Sequence, residues 1–123
     1  MNLNEAKTVL KNAGYKLIKE SEALEARKEY SWNGSTGMIT VSYSKSANIW
    51  LSITNDTNDE ELDTVALPAM FKKIEAKYGL KAISAQDFPI GQNGFNSLVV
   101  YTSTGDVDLN ELCEDIYQEL NID

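Results

Sequence analysis

Two runs of strict alternation, Met38 to Ser44 and Ile49 to Thr54, constrain this chain more than any other feature of it. Ile39, Val41 and Tyr43 fall on one face of the first run, and Ile49, Leu51 and Ile53 on one face of the second. A period of two is the mark of a half-buried strand, and Lys45-Ser46-Ala47-Asn48 between the runs makes them a hairpin. The other face, Met38, Thr40, Ser42, Trp50, Ser52 and Thr54, is mostly polar. One side of the hairpin therefore packs, while the other can meet water or a partner.

Three helices are predicted around this sheet. Asn2 precedes Leu3 and is followed three residues later by Glu5, a capping box in which the Asn oxygen accepts from free N–H groups. Leu3, Ala6, Leu10 and Ala13 recur at helical intervals, and Gly14 supplies the left-handed residue that closes a helix, with Tyr15 folding back over the last turn. Pro68 suits a first helical turn, and Met70, Phe71, Ile74 and Tyr78 form an apolar stripe over 68–78 that Gly79 ends. Asp108 with Glu111 repeats the cap ahead of Leu109, Leu112, Cys113, Ile116 and Leu120 on one face of a last helix.

Elsewhere the pattern is shorter. Residues 15–20 fit either an extended piece or a continued helix. Helix propensity dominates 21–27, but Lys28 to Trp32 alternates ahead of the turn dipeptide Asn33-Gly34, so a strand is expected near 27–32. Leu80 to Ala85 and Leu98 to Thr102 read as two further strands, joined by a long loop with Phe88-Pro89, Gly91, Asn93 and Gly94. The expected order is α-β-β-β-α-β-β-α, with no internal repeat. Helices interrupting runs of antiparallel strands point to the α+β class: a two-layer sandwich, its mostly antiparallel sheet of four or five strands covered by helices on one face. Expected core positions are Trp32, Tyr43, Leu51, Ile53, Phe71, Ile74, Leu98 and Val100.

At 123 residues there is room for a single domain, 1–123, with one core. The chain has no histidine and one cysteine, Cys113, which removes the commonest general base and the soft ligands of zinc and iron–sulfur sites. No disulfide can form within it. Cys113, beside Leu112 and Ile116, reads as a small buried apolar residue rather than a reactive thiolate. None of the seven glycines belongs to a phosphate loop or a nucleophile elbow. No enzyme activity and no cofactor are expected. The longest nearly apolar run, Val65 to Phe71, contains Pro68 and falls far short of the ~20 residues of a membrane span, so the expectation is a cytoplasmic protein with no membrane partner.

The formal net charge is −8, unevenly spread. Asp56, Asp59, Glu60, Glu61 and Asp63 crowd 55–63, and Asp106, Asp108, Glu111, Glu114, Asp115, Glu119 and Asp123 crowd 104–123; these segments carry −12 and the remainder +4. Phosphate contacts need clustered Lys and Arg, and Arg27 is the single arginine, so direct nucleic-acid binding is not expected. The acidic segments are either a solvated face or a surface that steers the chain onto a basic partner protein. On the second reading the partner-binding residues are Asp56, Asp59, Glu60, Glu61, Asp63, Glu111, Glu114, Asp115 and Glu119, with Trp50. Trp50, with Met38 diagonally across the hairpin, is either covered by a second core layer under a helix or an interface anchor. Asp56, Asn58 and Glu60 have the spacing of the first ligands of a calcium loop, but Glu61 replaces the turn glycine and Leu67 the closing Glu, so no metal is expected.

The opening Leu3-Asn4-Glu5-Ala6-Lys7 and Leu10-Lys11-x-Ala13-Gly14-Tyr15 resemble the start of many small phage-encoded accessory proteins, over about fifteen residues. That resemblance implies a viral or prophage protein of a class that includes anti-CRISPR and anti-restriction inhibitors, some of which are acidic and imitate DNA in a basic groove. The order of helices and strands is also similar to that of type III secretion chaperones, small acidic cytoplasmic dimers; this likeness implies a homodimer that binds an apolar peptide segment. The function expected first is a non-catalytic acidic interaction module, an accessory or inhibitor protein binding a basic surface of a host nucleic-acid enzyme. A chaperone-like module is the alternative.

Overall fold

The computed structural model describes residues 2–32, 35–44, 48–55, 67–79, 81–87, 97–103 and 107–120. It is an α+β domain with one antiparallel sheet and its helices on one side. α1 (Leu3–Asn12) begins on the expected capping box: Asn2 Oδ1 accepts from the Glu5 N–H at 2.8 Å, and the Glu5 carboxylate accepts from the Asn2 N–H at 3.3 Å. It ends at Gly14, with φ 91°, where the Gly14 N–H bonds the Lys11 carbonyl at 3.0 Å and the Tyr15 N–H bonds that of Leu10 at 2.9 Å. This crossed pair satisfies the carbonyls that a helix end leaves over and turns the chain into the sheet.

The next element, β1 (Lys16–Glu20), is a strand, which resolves 15–20 as extended chain. β2 (Ala23–Trp32) also starts four residues earlier than the helix propensity of 21–27 allows. Pairing overrides propensity here: β2 lies between β1 and β3 (Ser35–Ser44), matched to β3 residue for residue from Ala23 and Ser44 to Trp32 and Ser35. β4 (Ile49–Asn55), α2 (Leu67–Tyr78), β5 (Lys81–Asp87), β6 (Ser97–Ser103) and α3 (Leu109–Leu120) complete the chain. The sheet order is β1-β2-β3-β4-β6-β5, six strands where four or five were expected, the extra one being β1.

Leu24, Ala26 and Tyr30 on β2, Ile39, Val41 and Tyr43 on β3, and Ile49, Leu51 and Ile53 on β4 form one inward face. Ala6 and Leu10 of α1, Met70 and Ile74 of α2, and Leu109, Leu112, Cys113 and Ile116 of α3 close over it as a single core. Of the expected core positions, Tyr43, Leu51, Ile53 and Ile74 are buried there. The side chains of Trp32, Phe71, Leu98 and Val100 lie outside the described residues, but the β6 register differs from the expected one. Val99 and Tyr101 pair with Ile53 and Leu51 in the core row, whereas Leu98 and Val100 pair with Thr54 and Ser52.

A relationship not apparent as a repeat in the sequence links the two sheet edges. α1 and α2 each end on a left-handed glycine, Gly14 and Gly79, and each feeds an edge strand whose register slips, at Leu17/Lys19 in β1 and at Ala82/Ser84 in β5. Gly14-x-Lys16-x-Ile18 and Gly79-x-Lys81-x-Ile83 mark the two places. A bulge twists an edge away from flat pairing with another chain, and a lysine beside it penalises such pairing further.

Candidate functional site

Three of the four carboxylates expected on α3 do not stand free. Glu111, Asp115 and Glu119 recur every four residues along it, and Lys73 and Lys77 share that spacing on α2. The two stripes meet antiparallel. Lys77 Nζ lies 2.7 Å from Glu111 and 2.8 Å from Asp115, Lys73 Nζ lies 2.8 Å from Glu119, and the Tyr78 hydroxyl donates to Asp115. Glu114 is exposed and has no ion pair among the described residues. A groove of about 450 Å³ between the helices is lined by Lys73, Ile74, Ala76, Lys77, Asp115 and Glu119.

This groove is not poised for proton transfer. Hydrogen bonds from Lys77 and then Tyr78 hold the Asp115 carboxyl below its usual range, and those to Asp115 and Glu111 hold Lys77 above its own. A general acid or base near neutrality needs the opposite shifts. The arrangement is a clamp between α2 and α3. Because the folded pKa of Asp115 is depressed, its contribution to stability is complete above the unfolded value of about 3.9 and is lost as pH falls through the folded one. Urea midpoints measured from about pH 6 to about pH 2 are therefore expected to fall less steeply below about pH 4 in Lys77→Ala than in the parent. Parallel curves would show that the clamp carries no proton linkage.

Cys113 is buried on the core side of α3 near Tyr15, and burial pushes its thiol up to about 12. It is a protonated packing residue rather than a nucleophile. Tyr15 stacks on Tyr117 with ring centroids 6.4 Å apart, Tyr117 donates to the Ala13 carbonyl, and Lys28 Nζ sits 5.0 Å from the centre of the Tyr117 ring. The Tyr15 hydroxyl is buried without a hydrogen bond among the described residues. Gly14 is needed here for its φ of 91°; a Cβ there would stand 2.8 Å from Lys28 Nζ, the movable end of a long side chain.

The open side of the sheet corrects the reading of Trp50 as part of a second core layer. No described helix covers it, and Trp50 is 47% exposed. Nor is Met38 its diagonal neighbour: Trp50 pairs with Ser42 and Met38 with Thr54, two rows further along β3. Around Trp50 the row reads Lys19, Glu25, Ser42, Trp50 across β1 to β4, with Lys16, Arg27, Thr40 and Ser52 in the next. Sequence reasoning missed these cations because Lys16 and Lys19 reach the Trp50 face only through the pairing of β1, and Arg27 only through that of β2 with β3.

Asp56, Asp59, Glu60, Glu61 and Asp63, together with Asp106 and Asp123, lie outside the described residues. No group of three or more His, Cys, Asp or Glu among the described residues could hold a metal ion, and no helix among them is long and apolar enough to cross a membrane. Comparisons of the chain with protein-family models, with curated proteins and with solved structures return no match.

Proposed function

We propose that the chain is a non-catalytic interaction module whose acidic segment, Asp56, Asp59, Glu60, Glu61 and Asp63, docks on a basic surface of another protein. The observation that carries this reading is how charge is distributed along the chain. Lys73 and Lys77 neutralise much of what α3 would present, whereas positions 46–71 contain no Lys or Arg at all. The segment leaves from Asn55 at the end of β4 and returns at Leu67, the start of α2. The surface most complementary to five closely spaced carboxylates is one lined by Lys and Arg for gripping a nucleic-acid backbone. Occupying such a groove in place of phosphate would make the chain an inhibitor, in keeping with its resemblance to small phage accessory proteins.

Long-range attraction acts mainly on encounter. Against a panel of basic nucleic-acid-binding enzymes, Glu60→Lys combined with Glu61→Lys is expected to lower the association rate roughly tenfold at low salt. The difference should vanish toward about 1 M salt, where the screening length is only about 3 Å. Reversing Asp115 and Glu119, already paired with lysines, should do far less. Equal slowing by the two double variants, or none by either, would defeat the proposal.

A further inference from the structure

The open sheet face carries a second chemistry, opposite in sign to the acidic segment. Lys16 and Lys19 are exposed and have no ion pair among the described residues, and the single contact of Arg27, to Glu25, is loose at 3.5 Å. Ile18, the bulged residue between the two lysines, is 48% exposed; with Trp50 it makes up the exposed large hydrophobics of the described chain. Three cations and both exposed apolar side chains therefore belong to β1, β2 and β4, in a protein whose net charge is −8. We propose that this corner, Lys16, Lys19, Arg27 and Trp50, with Ile18 in the adjoining bulge, docks an acidic polypeptide segment that carries an aromatic or aliphatic side chain.

The charge pattern selects the occupant. Glu25 and Glu29 interrupt the cations along β2, so no continuous track exists for a phosphate backbone. A second copy would bring its own charge of −8 against the first. A peptide needs only one apolar anchor on Trp50 and two or three carboxylates opposite the lysines and Arg27, the usual division between a central aromatic and a charged rim. From β1 to β4 is three strand spacings, about 14 Å, which about four or five extended residues bridge. The bulge and lysines of β1 oppose addition of a seventh strand, so the segment lies across the face rather than beside the edge.

The test uses the full chain and a displayed random library of twelve-residue peptides. Enriched sequences are expected to combine Asp or Glu with an aromatic or aliphatic residue. The affinity of a synthetic copy should fall at least about tenfold in Trp50→Ala and severalfold in Lys16→Glu with Lys19→Glu, while Glu60→Lys with Glu61→Lys leaves it intact. Trp50→Phe, which keeps an aromatic ring, should retain most of the binding and so separates loss of the anchor from loss of the fold. Absence of enrichment, enrichment of basic peptides, affinity indifferent to both the Trp50 and the lysine variants, tighter binding of a twenty-residue oligothymidylate, or self-association abolished by Trp50→Ala would each overturn the proposal.

Discussion

Replacing Gly37 with alanine is expected to destabilise the fold by about 3 kcal/mol, at the upper end of what one added methyl costs in a packed interior. A Cβ at this position would stand 2.4 Å from Cε1 of Tyr30 and 2.5 Å from the carbonyl oxygen of Thr54. Gly37 is the β3 residue paired with both Tyr30 on β2 and Asn55 on β4, so the missing side chain leaves room for the Tyr30 ring in the inward row. The ring is 3% exposed, and its hydroxyl donates to the Thr54 carbonyl at 3.3 Å. Alanine ordinarily gains about 0.5–1 kcal/mol over glycine inside a strand, so the collision must outweigh that gain. Tyr30→Leu removes the ring but not the Thr54 carbonyl. The double variant is therefore expected to be more stable than the two single costs would add up to, by about 1 kcal/mol or more. Urea denaturation of the four proteins measures this coupling; Gly37→Ala within about 0.5 kcal/mol of the parent would mean that the ring does not occupy the space over Gly37.

Legibility followed the range of the forces that set each element. The capping box at Asn2 and Glu5, the closure at Gly14 and the 38–54 hairpin were readable because their partners lie within a few residues. The first half of β2 was not. Its inward row is Leu24, Ala26, Lys28, Tyr30, and a lysine in the third place breaks the apolar alternation that identifies a strand. Lys28 is accommodated by the ring of Tyr117, on the last helix and far along the chain. Leu98-Val99-Val100-Tyr101 carries no alternation at all, so only pairing with β4 decides which residues join the core row. The α2–α3 clamp was half legible: the four-residue spacing of Lys73 and Lys77 matches that of Glu111, Asp115 and Glu119, but nothing local says that the two helices adjoin. The opposite facing of Trp50 and Leu51 was legible too, whereas the absence of a described helix over Trp50 is a matter of tertiary arrangement.

That arrangement makes two adjacent residues of β4 respond in opposite ways. Leu51→Ala is expected to cost about 2.7–5 kcal/mol, since the side chain is fully buried in the core that all three helices close, and a central strand has little freedom to collapse into the vacancy. For a domain of this size that corresponds to a fall in Tm of roughly 10 °C or more. Trp50→Ala, one residue away, removes a larger side chain, yet one that is 47% exposed and meets no described helix, so its cost should stay near 1 kcal/mol. Residue size alone would order the pair the other way, because truncating a core tryptophan costs about 3–5 kcal/mol. Calorimetry of both variants decides between the arrangements. A Trp50→Ala protein as unstable as Leu51→Ala would place a packed layer over the second sheet face and close the surface on which peptide docking depends; a stable one leaves a tryptophan whose exposure the fold does not require, and for which binding supplies the reason.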